Sequence, residues 1–129
     1  MQKFSIKTSV VENFDDVIKL LKSRAEEEGF GTLTEINLRD KFKEKLNIEF
    51  ENYKILGLCN PNLAHKVLKI NKSIGLFLPC SIIVYEDNDQ TIIELQKPTF
   101  MSSFFDNQQI DEIAEEVEKR LSKVIQSIK

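Results

Sequence analysis

Between positions 110 and 128 the apolar residues Ile110, Ile113, Ala114, Val117, Leu121, Val124, Ile125 and Ile128 recur at helical spacing. A helix with so continuous a stripe must lay it on an apolar surface of matching length, and the rest of the chain has to build that surface. Asp106 followed by Gln109 predicts a capping box at its start, and Phe105 with Ile110 predicts a hydrophobic staple. Acids crowd its first half, and Lys119, Arg120, Lys123 and Lys129 its second, as the helix dipole favours.

The surface is expected from strands. Residues 3–10 alternate strictly, with Phe4, Ile6, Thr8 and Val10 on one side and Lys3, Ser5, Lys7 and Ser9 on the other. That pattern predicts a strand with one dry face and one wet face. Asn13 then caps a helix whose stripe is Phe14, Val17, Ile18, Leu21 and Ala25, and Gly29-Phe30 stops it. The Glu26-Glu27-Glu28 run reads as a solvated face. Residues 30–36 predict a second strand. A short helix follows, capped by Asn37, with Leu38, Phe42 and Leu46 as its stripe and Asn47 as its stop.

Residues 53–59 form a mostly apolar strand, too continuous for a sheet edge. Asn60-Pro61 opens another helix, with Leu63, Ala64, Val67 and Leu68 facing inward. Residues 80–86 and 91–97, joined by Asp87-Asn88-Asp89-Gln90, predict a hairpin. Pro98 ends it. An apolar connector with Phe100, Met101, Phe104 and Phe105 leads to the last helix and is expected in the core or at an interface, with at least two of the four buried. A hairpin beside a half-wet first strand favours an antiparallel sheet over a parallel one. The expected fold is a single α+β domain: a mainly antiparallel sheet with helices packed on one face and a long amphipathic C-terminal helix.

Composition excludes several classes. Lys plus Arg is 18, Asp plus Glu is 21, and the net charge is −3; 30% of residues are charged and 41% apolar, the balance of a soluble globular chain. No run approaches the roughly 18 apolar residues of a membrane span. The first residues lack the apolar centre of a secretory signal, and two cysteines are too few for a secreted disulfide scaffold. Reduced thiols in a cytoplasmic protein are the expectation. Residues 37–73 hold eight basic residues against four acids, and residues 86–118 hold ten acids against one base. The basic stretch could attract a small anion or the acidic region of another subunit. An acidic domain without a recognised binding motif is not expected to bind nucleic acid.

Three stretches carry a resemblance: Gly29-Phe30-Gly31-Thr32-Leu33-Thr34-Glu35-Ile36, then Tyr53-Lys54-Ile55-Leu56-Gly57-Leu58-Cys59-Asn60-Pro61 with Ala64 and His65, then Gly75-Leu76-Phe77-Leu78-Pro79-Cys80. Together they resemble the bacterial and archaeal domain-of-unknown-function 302 family, over nearly the whole chain. The resemblance implies a curved antiparallel sheet like that of the TATA-binding-protein-like folds, and a homodimer. It implies no particular activity. Leu58 stands where the resemblance implies Ala or another small residue.

The chemistry-bearing candidates are few. Cys59 ends one strand and Cys80 begins another; if these strands are antiparallel neighbours, both sulfurs lie at one end of the sheet, beside the helix that Asn60 caps. A helix N-terminus there would lower a thiol's pKa, and His65 follows about one turn in. Cys59, Cys80 and His65 suit zinc by ligand type, but no CxxC spacing supports a metal, and no cofactor is evident. The alternative is two small buried hydrophobes. His65, the only histidine, is expected on the helix flank. Glu35 lies in an apolar strand, so its carboxylate is either paired on a covered face or simply wet. No nucleophile–base–acid set is visible. The leading expectation is a non-catalytic, homodimeric module for a small ligand or for interaction, with Cys59, Asn60, His65, Cys80 and Glu35 as site residues. A thiol-redox or metal-binding protein is the alternative.

Overall fold

In the computed structural model, which describes Lys3–Ile128, an asparagine starts four of the five α-helices. Asn13 accepts from Asp15 and Asp16 at α1 (Phe14–Glu27), Asn37 from Asp40 at α2 (Leu38–Leu46), and Asn60 from Leu63 at α3 (Pro61–Ile70). At α5 (Gln108–Gln126) the cap is Asn107, which accepts from the Ile110 N–H at 3.0 Å. The expected Asp106 cap is therefore displaced by one residue; Asp106 takes a positive φ of 28° and turns the chain into the helix. Gly29 (φ 87°) and Asn47 (φ 54°) adopt the left-handed conformation after α1 and α2, as their sequence positions predict.

The strands are β1 (Ser5–Val10), β2 (Gly31–Asn37), β3 (Tyr53–Cys59), β4 (Cys80–Asp87) and β5 (Gln90–Gln96). They form one sheet in the order β1-β5-β4-β3-β2, with every neighbouring pair antiparallel and no closure into a barrel. Two short elements escaped the sequence reading: a 3-10 turn over Lys72–Phe77, and α4 (Pro98–Ser102) inside the apolar connector. Lys129 lies outside the described residues.

One face of the sheet carries the core. Val10, Leu56, Leu58, Ile82, Val84, Ile93 and Leu95 meet Phe14, Val17, Ile18, Leu21 and Ala25 of α1 and Val117, Leu121, Val124 and Ile125 of α5. A smaller cluster of Val67, Ile74 and Ile110 joins α3 to the start of α5. The alternation expected in the first strand holds for Ile6 and Val10, but Ser5, expected on the wet face, is buried, and Phe4 lies before β1, half exposed, with its ring 6.4 Å from that of Phe100.

The helix α2 departs from expectation, because it buries no residue and Leu46 is exposed. It begins where β2 ends, just past the Asn37–Lys54 rung, and meets the sheet at the start of β3 without burying a side chain there. Phe42 packs instead on Phe50, ring to ring at 5.0 Å.

A candidate apolar crevice at the β3–α3 corner

Antiparallel pairing of β3 with β4 sets Leu58 opposite Cys80. Cys59 is thus one residue beyond that rung, diagonal to Cys80, and both thiols are free. The chain leaves β3 through Asn60 into α3, and α5 crosses beyond it. Between these elements lies a narrow crevice of about 40 Å³. Leu58, Cys59 and Cys80 form its sheet wall. Asn60, Leu63, Ala64 and Val67 come from the start of α3, Pro98 and Met101 from α4, and Ile110, Ile113, Ala114 and Val117 from α5; Phe30, Ile74 and Leu78 complete it. Its surface is almost wholly carbon.

The volume decides what fits. About 150 Å³ accommodates a benzene ring in an apolar cavity, and drug-sized ligands occupy several hundred. The crevice as it stands has room for a slender apolar group. Leu63, Leu78 and Met101 on its lining are only partly buried, and the unbranched Met101 side chain re-packs at low cost.

The thiols behave as part of that apolar wall. Burial raises the Cys59 thiol above its ordinary value, and burial together with the neighbouring Cys59 pushes Cys80 up to about 11. The lowering expected from the α3 N-terminus is not found at either thiol, and neither group is a thiolate near neutral pH. Asn60 spends its side-chain oxygen on the Leu63 N–H at 3.1 Å, so it caps α3 while bordering the crevice.

The structure does not gather the remaining candidates. His65 is exposed on the flank of α3, as its helical position predicts, and is not among the crevice residues. Among the described residues no three of His, Cys, Asp and Glu come together to hold a metal ion, so Cys59, Cys80 and His65 do not form the ligand set their types allowed. Glu35 stands apart on β2. Its register partner Leu56 places it on the helix-covered side, yet at the sheet's margin, where its side chain keeps 29% exposure. There it pairs with Lys22 of α1 and with Lys54 of β3 at 2.9 Å. Hydrogen bonds from Lys22 and Lys54 hold its carboxyl below the usual range. It is a structural ion pair between layers.

Sequence reasoning missed the α5 wall, since Ile113 and Ala114 read simply as helix stripe. The connector was a partial signal. Met101 reaches the crevice and Phe105 packs on the smaller cluster, both half-buried, whereas Phe100 and Phe104 stay exposed, so the expectation of two buried residues is met only in part. Among the described residues no helix is long and apolar enough to cross a membrane.

Comparison with known proteins agrees with this architecture. The family model described as domain of unknown function DUF302 matches residues 6–128. A crystal structure of an uncharacterized conserved protein DUF302 from Bacillus stearothermophilus is similar to this chain, at 32% identity over 99% of this chain and 100% of that one, with a TM-score of 0.92. No curated protein matches.

Proposed function

This chain belongs to the DUF302 family, and from that premise we propose that it is a non-catalytic binding module, working as a pair of identical chains, that takes a slender apolar ligand into the β3–α3 crevice. The observation that carries the reading is the crevice itself: a gap beside the core, walled by carbon, with partly buried, re-packable side chains on its lining. A gap of that kind is energetically costly when empty, and an alkyl group entering it recovers the missing dispersion contacts.

The test is a titration of the labelled full chain with 1-hexanol, followed by amide and methyl chemical shifts. Saturable shifts centred on Leu58, Ile113 and Ala114, abolished by Ala64→Leu at retained fold, are the expected result. Absence of saturation at those residues overturns the reading.

A second reading, thiol–disulfide chemistry, is favoured by the diagonal placement of Cys59 and Cys80 on one wall. It predicts that oxidised glutathione removes two hydrogens from the folded chain, forming the Cys59–Cys80 bond and releasing two reduced glutathiones. An unchanged mass after prolonged treatment at pH 8 excludes it.

A further inference from the structure

The connector between β5 and α5 has two sides. Pro98 and Met101 turn inward to the crevice, whereas Phe100 and Phe104 are exposed. The 3-10 turn divides in the same way: Ile74 and Leu78 line the crevice, and Leu76 is 86% exposed.

Ring contacts join the outward sides into one ridge. Phe4 meets Phe100 at 6.4 Å, Phe100 meets Phe104 edge-on at 5.4 Å, and Phe104 stacks with Phe77 at 6.4 Å. Phe4 keeps 49% of its surface and Phe104 65%. The Lys97 N–H donates to the Phe4 carbonyl at 2.7 Å, which ties the residues before β1 to the start of α4. Exposed apolar residues scattered singly need no explanation, but a contiguous set marks a docking surface.

Charge identifies what docks. The three segments that build the ridge, residues 3–4, 72–79 and 97–105, hold Lys3, Lys72 and Lys97 and no acid. The acids that approach them are occupied, Glu94 by the Ser5 hydroxyl and Glu118 by the Thr99 hydroxyl. Asp106 stands past the end of the ridge, where the chain turns into α5. By contrast the exposed Leu46, Ile48 and Phe50, between β2 and β3, are interleaved with Glu44, Glu49 and Glu51. A second copy laid on the ridge about a two-fold axis would bring the same lysines together with no acid among them. A lipid surface answers both parts of the pattern, since its acyl boundary takes the rings and its anionic headgroups take the lysines.

We propose that this ridge rests on a lipid surface bearing anionic headgroups, with Phe4, Leu76, Phe100 and Phe104 entering the acyl boundary and Lys3, Lys72 and Lys97 meeting the phosphates. The chain lies on the bilayer and does not span it. The inference goes beyond the crevice ligand, and it stands on the ridge alone.

Co-sedimentation of the full chain with phosphatidylcholine vesicles, with and without about one third phosphatidylserine, tests it. Two paired substitutions address the two parts: Leu76→Ser with Phe104→Ser, and Lys3→Glu with Lys72→Glu. All four positions are exposed, and circular dichroism checks that the variants fold. The natural chain is expected to bind the anionic vesicles at low salt, and each paired variant to bind them at least about tenfold more weakly. Leu46→Ser, an equal apolar loss on α2, is expected to bind as the natural chain does, and 1 M salt to remove the contribution of the lysines. A natural chain that stays in solution with anionic vesicles overturns the proposal, as does binding that neither pair weakens. Self-association in the absence of lipid that Leu76→Ser with Phe104→Ser abolishes would assign the ridge to a second copy and overturn it too. A failed hexanol titration bears on the crevice and leaves this surface standing.

Discussion

The ring of Pro79 occupies the space that a side chain at Gly57 would need. A Cβ built on Gly57 runs into the Pro79 ring and into the Thr34 hydroxyl, which approaches from the paired position on β2. Glycine in mid-strand normally weakens a sheet, and here it is required by the close approach of two neighbours.

Gly57→Ala is therefore expected to destabilise the fold by about 1–3 kcal/mol, the usual cost of overpacking. Gly31→Ala is the control, since a Cβ there meets nothing within 4 Å. It should shift stability by no more than about 0.5 kcal/mol. Urea unfolding of the two variants side by side checks the difference.

Leu121 is fully buried between α5 and the sheet, whereas Lys119 on the same helix is exposed. Leu121→Ala should cost about 2–5 kcal/mol through lost transfer energy and the cavity left behind. Lys119→Ala should stay within about 0.5 kcal/mol. Equal effects at both positions would contradict the packing described for α5.

The buried Cys80 thiol makes stability fall at alkaline pH. Its value rises from 9.0 to about 11 in the fold, so below pH 9 both folded and unfolded chains hold the proton and nothing changes. Between 9 and 11 the unfolded chain releases the proton while the folded chain retains it, which favours unfolding. At about 1.4 kcal/mol per unit, the loss between pH 8 and 10.5 is about 2 kcal/mol. Cys80→Ala should lack this slope, and the difference between natural chain and variant in urea unfolding at the two pH values measures it.

Glu35 shifts stability in the opposite direction. Its carboxyl is lowered by Lys22 and Lys54, so the contribution is present above the ordinary value of 4.5 and disappears as pH falls through the lowered one. Partial exposure screens the pair and limits the effect to about 0.5–1 kcal/mol. Glu35→Gln should be that much less stable at pH 7, and indistinguishable once acid has protonated the carboxyl in both states. Unfolding midpoints at neutral and acid pH decide it. A constant gap would mean that packing, not charge, holds this position.

The elements themselves followed from near-neighbour chemistry. Asn13, Asn37 and Asn60 cap helices because a short side-chain oxygen reaches an N–H two or three residues on, and Gly29 and Asn47 end helices because they tolerate a positive φ. The stripe of α5 and the alternation of β1 are likewise set by periodicities of the backbone. Such interactions lie within a few residues of each other, so the sequence determines them before the chain folds. Where two local choices nearly balance, as with Asp106 and Asn107, it located the helix start only to one residue.

The tertiary structure decided everything that depends on strand order and register. That β2 lies at an edge, that Glu35 meets lysines from two different elements, and that Cys59 stands diagonal to Cys80 are outcomes of pairing between distant segments. The burial that raises both thiols has the same origin, because desolvation depends on what α3 and α5 place over the strand ends. Leu38, Phe42 and Leu46 kept a helical stripe that no other element buries. A local pattern states which face is apolar, but only the sum of non-local contacts determines whether another element covers it.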